Sequence, residues 1–180
     1  MHVVNLKLEG ALLLEQNIYS DRRGSFSETY NKKEFSRIVG KEVNFVQDNY
    51  SISKKNVLRG LHFQRPPKSE VKLVRCIKGE IWDVVVDLRK KSDTCGKWFG
   101  AKLSEGNQKM MYIPKGFAHG FMSLKSETEI IYFVSDFYSP ESEETLIWND
   151  NDVSINWPMD PIIISDKDLH GKNFKNIELI

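Results

Sequence analysis

The sequence predicts an all-β protein built as a double-sheet jelly roll. Short apolar runs of strand length recur along the 180 residues, and they are rich in Val, Ile, Phe, Tyr and Trp. Turn signals such as Lys78-Gly79, Gly106-Asn107 and Pro114–Gly116 separate them. Since helical patterns do not alternate with these runs, a βαβ arrangement is excluded, and a sandwich or barrel is favoured.

The elements can be placed in chain order. A short helix is predicted over Asn31–Val39, where Asn31 and Glu34 form a cap-like start and Gly40 ends the helix. The predicted strands are Val43–Val46, Val57–Phe63, Val71–Ile77, Ile81–Leu88, Trp98–Leu103, Met110–Ile113, Phe117–Leu124, Ile130–Val134 and Thr145–Trp148.

The chain is expected to form a single domain over residues 1–180, because no linker or repeat divides it. The segment 157–180 has a different character. Pro158 and Pro161 interrupt regular structure, and Ser165–Asp168 is suited to capping a short helix. We expect this C-terminal segment to pack on the outside of the barrel.

Composition narrows the possible partners. With 26 Lys and Arg against 25 Asp and Glu, the formal net charge is +1, so no overall field favours nucleic acid or an anionic membrane. Cys76 and Cys95 are too few for a disulfide framework. The sequence shows neither a signal-peptide pattern nor an apolar run of membrane-spanning length. We therefore expect a soluble, cytoplasmic protein with no nucleic-acid or membrane partner.

Charged residues inside strand-like runs indicate a functional site. Arg59 and His62 lie in Val57–Gln64, and Lys72 and Arg75 lie in the next run. Burying such charges is unfavourable unless a partner compensates for it. A bound metal, a phosphate or a reacting carbon acid would each provide one.

A metal is the least favoured of the three. Pro114–Gly120, which contains His119, resembles the second short motif of the cupin superfamily. His62 would supply a second ligand, but Gln64 is a poor transition-metal ligand and the Lys72 ammonium repels a cation. The histidines could also simply satisfy hydrogen bonds in the core.

A phosphate could be held by side chains such as those of Asp21–Gly24, where two arginines adjoin a glycine turn. A carbon acid would need a base near neutral pH, for which His62 is suited, and an acid to orient its ring. Lys72 could stabilise the enolate oxygen, and Tyr132 could donate a proton unless it is only a buried strand aromatic.

Several motifs together resemble the dTDP-4-dehydrorhamnose 3,5-epimerase family, in the family's order and spacing over nearly the whole chain. They are Asp21–Gly24, Arg59–Gln64, Lys72–Arg75, Gly79-Glu80, Val86–Arg89, Ile113–Gly120, Trp148–Asp150 and Ser165–Asp168.

The resemblance implies a cupin-type jelly roll with a few short helices, without metal or cofactor, that works as a homodimer. The implied reaction inverts C3 and C5 of dTDP-4-keto-6-deoxy-D-glucose to give dTDP-4-keto-L-rhamnose, for dTDP-L-rhamnose and surface polysaccharide such as lipopolysaccharide. Carried over by position, His62 is the base oriented by Asp168, Tyr132 is the acid on the opposite face, and Lys72 steadies the enolate.

The resemblance also implies a substrate-binding set. The residues expected to face the diphosphate are Arg59, His119 and Lys167. Those expected to line the nucleotide and sugar pocket are Arg23, Glu28, Gln47, Asp48 and Asn49, with Glu143 nearby and Tyr138 stacked on the thymine.

Strand alternation conflicts with one of these assignments, because it puts Arg59 and His62 on opposite faces. Gly60 would resolve the conflict if it marks a bulge, and otherwise Arg59 serves the rim or a partner subunit. Three other functions stay open. They are an epimerase that inverts one centre or uses another nucleotide sugar, a non-catalytic sugar-binding cupin, and a metal-dependent cupin enzyme.

Overall fold

A computed structural model describes residues 1–4 and 8–180. The strands in that part of the chain are β1 His2–Val4, β2 Leu12–Glu15, β3 Tyr19–Asp21, β4 Gly24–Phe26, β5 Gln47–Ser53, β6 Leu58–Gln64, β7 Lys72–Lys78, β8 Glu80–Asp87, β9 Trp98–Ser104, β10 Met110–Ile113, β11 Phe117–Ser123, β12 Thr128–Val134 and β13 Glu143–Thr145. The α-helices there are α1 Lys32–Val39 and α2 Asp166–Leu169, followed by a 3₁₀ turn at Phe174–Asn176.

The strands form two antiparallel sheets that face each other. The first sheet has six strands in the order β1-β2-β10-β7-β12-β5, and the second has five in the order β13-β6-β11-β8-β9. β3 and β4 form a separate two-stranded hairpin. This arrangement confirms the predicted jelly roll.

The main core fills the space between the two sheets. Val74 and Cys76 of β7 pack there against Val85 and Phe121 from the second sheet. Side chains alternate along a strand, so Lys72 lies on the same face of β7 as Val74. The Lys72 side chain therefore points into the barrel, at the end where the apolar core stops.

Helix α1 covers part of the outer face of the first sheet and matches its predicted bounds. The Asn31 side chain accepts a hydrogen bond of 3.2 Å from the Glu34 N–H, and Gly40 ends the helix with a φ of 72°. Phe35 is fully buried in a second cluster with Tyr112. α1 is held mainly by this aromatic packing, since an isolated helix of eight residues is marginal.

The C-terminal segment packs against the outer face of the second sheet. Trp157, Phe174 and Ile177 join a third apolar cluster with Leu61 of β6. The buried Asp150 carboxylate anchors the segment by accepting a 2.8 Å hydrogen bond from the Phe174 N–H. These contacts bring α2 to the side of β6.

Two predicted strands differ from the structure. Val43–Val46 is not a strand, since β5 begins only at Gln47. The run is apolar because Val43 and Phe45 pack under α1. Thr145–Trp148 is strand only as far as Thr145, where Leu146 turns to pair with the C-terminal segment. Strands β1 to β5 were not predicted. β1, β3 and β4 are exposed and have no buried face, and β5 is mostly polar. β2 was missed although Leu13 and Leu14 are buried, because its run of large apolar residues is only three residues long.

Among the described residues, no helix combines the length and the apolar composition needed to cross a membrane.

Candidate active site

An irregularity in β6 brings Arg59 and His62 to the same cavity. His62 lies opposite His119 on β11, but Arg59 lies opposite Phe121, so β6 contains one residue more than its partner between these pairs. The extra residue falls at Gly60, whose φ of 127° favours glycine. This bulge confirms the suggested role of Gly60 and removes the conflict with strand alternation.

His62 forms a close pair with Asp168. The His62 Nε2 lies 2.6 Å from Asp168 Oδ1, and Asp168 Oδ2 accepts a 3.1 Å hydrogen bond from the Gly60 N–H. The Ser165 hydroxyl caps α2 by accepting from the Asp168 N–H at 3.2 Å. Because a carboxylate only accepts, Nε2 carries the proton and Nδ1 is the basic nitrogen.

The environment keeps Asp168 ionised although only 3% of the residue is exposed. Burial alone would raise the pKa of Asp168. Hydrogen bonds from His62, Gly60 and Ser165, with the charge of His62, outweigh burial and hold that pKa below its ordinary value. Asp168 can therefore orient the His62 ring as a carboxylate.

Tyr132 faces this pair from the other sheet. It lies on β12 of the first sheet and lines the same cavities as His62, which lies on β6 of the second. Burial raises the pKa of the Tyr132 phenol, the nearby Glu70 and Glu143 charges raise it further, and Arg59 opposes them. The phenol is thus protonated at neutral pH and can donate a proton.

Two adjoining cavities meet at His62, Lys72 and Tyr132. The large cavity has a volume of about 610 Å³ and the small one about 290 Å³. Predicted site residues that also line the large cavity are Arg59, His119, Lys167 and Asp168. Those that also line the small cavity are Gln47, Asn49, Tyr138 and Glu143.

Lys72 is a nearly buried cation with a carboxylate partner. Its Nζ lies 3.1 Å from Glu70 Oε1, and the two side chains are 9% and 11% exposed. Glu70 lines the small cavity but was not among the predicted site residues. The only signal in the sequence is its position two residues before Lys72.

His119 has a carboxylate partner of its own. Its Nε2 lies 2.7 Å from Oδ1 of Asp83, which is fully buried on β8. Sequence reasoning missed Asp83, although a carboxylate enclosed by Trp82 and Val84–Val86 was an available signal. The pair fixes the His119 ring at the wall of the large cavity.

A polar network closes the rim of the small cavity. The Tyr138 hydroxyl donates to Glu143 Oε2 at 2.8 Å, and Lys167 Nζ lies 2.5 Å from the same oxygen. Burial alone would raise the pKa of Glu143, but the contacts with Lys167 and Tyr138 hold it below its ordinary value. Tyr138 is 57% exposed, so its ring is free to stack.

Gln64 has a structural role. Its amide donates to the Lys68 carbonyl at 2.8 Å and its Oε1 accepts from the Ser139 N–H at 2.7 Å. It therefore ties two loops together. Among the described residues, His, Cys, Asp and Glu side chains form no group of three that could hold a metal ion.

Three predicted residues lie outside both cavities. Asp48 is exposed on the face of β5 opposite to Gln47 and Asn49, as alternation requires. The side chain of Arg23 is 85% exposed and pairs with Asp21 at 2.7 Å. Glu28 is also exposed and accepts a 3.3 Å hydrogen bond from Asn31.

The site has the groups that acid–base chemistry requires. An oriented base and a protonated phenol lie on facing walls, and cationic side chains surround them. Fold and site together place the protein among cupin-type enzymes that work by acid–base chemistry.

Known proteins define the family more narrowly. The family model described as dTDP-4-dehydrorhamnose 3,5-epimerase matches residues 5–176. A dTDP-4-dehydrorhamnose 3,5-epimerase of Shigella flexneri is 46% identical over 174 residues, which cover 97% of this chain and 96% of that protein.

Solved structures of 3,5-epimerases have the same fold as this chain. The dTDP-4-dehydrorhamnose 3,5-epimerase of Elizabethkingia anophelis has a TM-score of 0.93 at 43% identity and covers 97% of each chain. The dTDP-6-deoxy-D-glucose-3,5-epimerase of Legionella pneumophila, in complex with dTDP-4-keto-L-rhamnose, has a TM-score of 0.94 at 39% identity and covers 98% of this chain and 94% of its own. The chain belongs to the dTDP-4-dehydrorhamnose 3,5-epimerase family.

Proposed function

We propose that this protein inverts C3 and C5 of dTDP-4-keto-6-deoxy-D-glucose to give dTDP-4-keto-L-rhamnose. Family membership supports the activity. The observation that carries the mechanism is that His62 on one sheet, paired with Asp168 of α2, faces Tyr132 on the other sheet across a shared cavity. A base and an acid on opposite walls are what inversion at carbon requires.

The proposed chemistry needs no change of oxidation state. The C4 ketone acidifies the hydrogens on C3 and C5, and His62 Nδ1 removes one of them. The electron pair moves into the C4 carbonyl, whose developing negative charge is stabilised by the Lys72 ammonium. Tyr132 then protonates the same carbon from the opposite face, and after proton exchange with solvent the cycle repeats at the other carbon.

We propose that the cations around the large cavity bind the diphosphate. Arg59 reaches across to the first sheet, where its guanidinium donates to Ser53 Oγ at 3.1 Å and to the Ile52 carbonyl at 3.3 Å. Its remaining N–H groups can bind a phosphate oxygen. Lys167 and His119 add positive charge or hydrogen-bond donors on the same cavity wall.

We propose a homodimer in which the β3–β4 hairpin contacts the partner. Every strand residue of the hairpin is exposed, and the hairpin carries Tyr19 and Phe26 at 62% and 70% exposure. Tyr50 and Ile52 project from the outer face of β5, each 53% exposed. An isolated hairpin is marginally stable, and pairing two copies would bury these groups.

The same dimer would give the remaining predicted residues a role. Arg23 lies in the turn between β3 and β4, and Glu28 lies just beyond β4, so the hairpin sets the position of both. We propose that they complete the nucleotide pocket of the partner protomer. Asp48 lies on the same outer face as Tyr50 and belongs to the interface in this proposal.

We further propose that barrel and C-terminal segment act as a single domain, because the segment supplies Asp168 and Lys167 to the barrel's cavity. A cytoplasmic location and a role in supplying rhamnose for surface polysaccharide, such as lipopolysaccharide, rest on the family alone.

The experiment that tests the function is hydrogen exchange at carbon. Incubation with dTDP-4-keto-6-deoxy-D-glucose in deuterated water should introduce deuterium at C3 and C5 of the sugar, measured by proton NMR. Exchange at one carbon only would identify a mono-epimerase, and binding without exchange would indicate a sugar-binding cupin. Stoichiometric zinc or iron held by His62 and His119 would contradict the mechanism.

A further inference from the structure

Glu70 is a charged group of the site that the proposed mechanism does not use. It lies in the loop between β6 and β7 and lines the small cavity together with Lys72 and Tyr132. Its carboxylate pairs with Lys72 at 3.1 Å, and 11% of its side chain is exposed. A carboxylate withdrawn this far from water next to a cation and a phenol calls for a functional explanation.

The loop holds Glu70 in a defined place. The neighbouring Val71 is fixed to Ser135 by two hydrogen bonds, its N–H donating to the hydroxyl at 2.8 Å and its carbonyl accepting from the Ser135 N–H at 3.1 Å. On the other side, the Lys68 carbonyl accepts from Gln64 at 2.8 Å. The carboxylate is therefore presented to Lys72 from a loop that is tied at both ends.

Lys72 needs a carboxylate partner if its ammonium is to stay at one position in the site. A lysine side chain is a flexible stem that ends in a point charge, so an unanchored ammonium samples several positions. Stabilising an enolate requires the charge to be in place before the reaction. The ion pair with Glu70 restricts the ammonium to the meeting point of the two cavities.

Glu70 also acts on Tyr132. The charged groups around that phenol are Glu70, Arg59, Glu143, Lys72 and the His62–Asp168 pair. Burial raises the pKa of Tyr132 most, and Glu70 is the next largest cause. A proton donor must hold its proton until the carbanion forms, so this effect favours the acid role.

We infer that Glu70 is a positioning residue that fixes the Lys72 ammonium beside the reacting carbonyl and places a negative charge in the cavity that the Tyr132 hydroxyl lines. The inference rests on the proposed epimerase function and adds to it a residue that acts through two others.

The test is a double-mutant cycle of kcat and KM for the epimerase reaction. Glu70→Gln keeps the size of the side chain and removes its charge. We expect kcat to fall about tenfold and KM to change less than about threefold, because the loss falls on the transition state. In a Lys72→Ala background at pH 7, Glu70→Gln should cause no further loss. Burial alone keeps the Tyr132 phenol protonated at that pH, so the remaining effect of Glu70 acts through Lys72.

A pH profile gives a second readout. Without the Glu70 charge, the alkaline decline of kcat should begin at lower pH than in the wild type. Glu70→Asp, which keeps the charge on a shorter side chain, should retain the wild-type decline even where its kcat is reduced. Glu80→Gln is the matched control, because Glu80 pairs with Lys102 at 3.4 Å on the surface, away from both cavities.

The outcomes distinguish a failure of the Glu70 role from a failure of the proposed epimerase function. A wild-type protein that exchanges deuterium, with an unchanged kcat in Glu70→Gln, overturns the role of Glu70 alone. The role is also overturned if Glu70→Gln lowers kcat by the same factor with and without Lys72. A wild-type protein that exchanges no deuterium overturns the proposed function itself.

Discussion

The two histidines of this site differ in the carboxylate that each contacts. His62 and His119 both lie in largely apolar strands. His62 pairs with Asp168 from the C-terminal segment, whereas His119 pairs with Asp83 from within the barrel. The His62–Asp168 pair lies beside the Gly60 bulge, which brings the Arg59 side chain to the same cavity. Asp83 lies on the neighbouring strand β8, directly opposite Phe121, so the second pair is part of the barrel wall.

The Tyr132 phenol should titrate above the ordinary value for tyrosine, which is about 10. Its pKa is raised chiefly by burial, so the folded protein keeps the phenol protonated through the mildly alkaline range. The measurement is the tyrosinate absorbance of the wild type minus that of Tyr132→Phe as pH rises. A difference that titrates at or below pH 10 would contradict a buried proton donor.

At this scale the sequence was informative where a charged residue interrupted an apolar run. Arg59, His62 and Lys72 stood out in that way. Asp83 was equally visible within Ile81–Leu88 but was overlooked, because no partner for it could be assigned without the fold. Glu70 gave almost no signal, since a glutamate in a polar loop is ordinarily a solvated charge.

Among the elements, the short helix α2 and strand β6 depend on each other. Asp168 accepts hydrogen bonds from His62 and from the Gly60 N–H of β6, and the Ser165 hydroxyl caps the helix that carries it. A helix of four residues has little stability of its own, so these bonds hold it in place.

Asp168→Asn should therefore destabilise the fold in a pH-dependent way. The folded-state pKa of Asp168 is lowered, so its contribution is present above the unfolded value of about 3.9 and is lost as pH falls through the folded value. Urea unfolding at pH 7 should show a loss of about 1–3 kcal/mol relative to the wild type.

That difference between the two proteins should shrink as the pH is lowered below about 4. Asp166→Asn, on the exposed side of the same helix, serves as the control and should change stability by less than about 0.5 kcal/mol. A loss for Asp168→Asn that stays constant from pH 7 to pH 3 would show that its charge is not involved.

The predicted elements were right where a run had a buried face, as in Val57–Phe63 and Ile81–Leu88. The helix was also found, because Asn31 and Gly40 are local signals that need no tertiary information. Val43–Val46 was wrong since apolar composition alone does not tell packing under a helix from pairing in a sheet. The Gly60 bulge was foreseen only because two side chains had to share a pocket.

For the whole molecule, the exposed apolar face is the feature that a single chain leaves unexplained. Tyr50, Ile52 and Ile77 lie on strands of the first sheet and are exposed, and within residues 1–4 and 8–180 the β3–β4 hairpin has no partner strand. Composition could not reveal this surface. It becomes visible only when the strands are arranged and the part of the first sheet that carries Tyr50 and Ile52 is seen to lie beyond the cover of α1.

The proposed dimer is tested by its mass in solution. The wild type should elute with twice the chain mass of 20.9 kDa in size-exclusion chromatography with light scattering. Ile52→Asp should shift it toward monomer, because a charge would be buried in the interface. Ile162→Asp, at a site that is 75% exposed on the C-terminal segment, should stay dimeric. A monomeric wild type would contradict the proposed pairing.

The central claim is that His62 and Tyr132 act from opposite walls on the same carbons. Deuterium incorporation and inversion, followed together by NMR in deuterated water, separate the two roles. His62→Ala should abolish exchange at both C3 and C5, because one base works at each carbon. Tyr132→Phe should keep measurable exchange while inversion falls by about 10²–10⁴-fold. The claim of two separate roles would be contradicted if Tyr132→Phe lost exchange and inversion to the same extent. It would also be contradicted if exchange survived in His62→Ala.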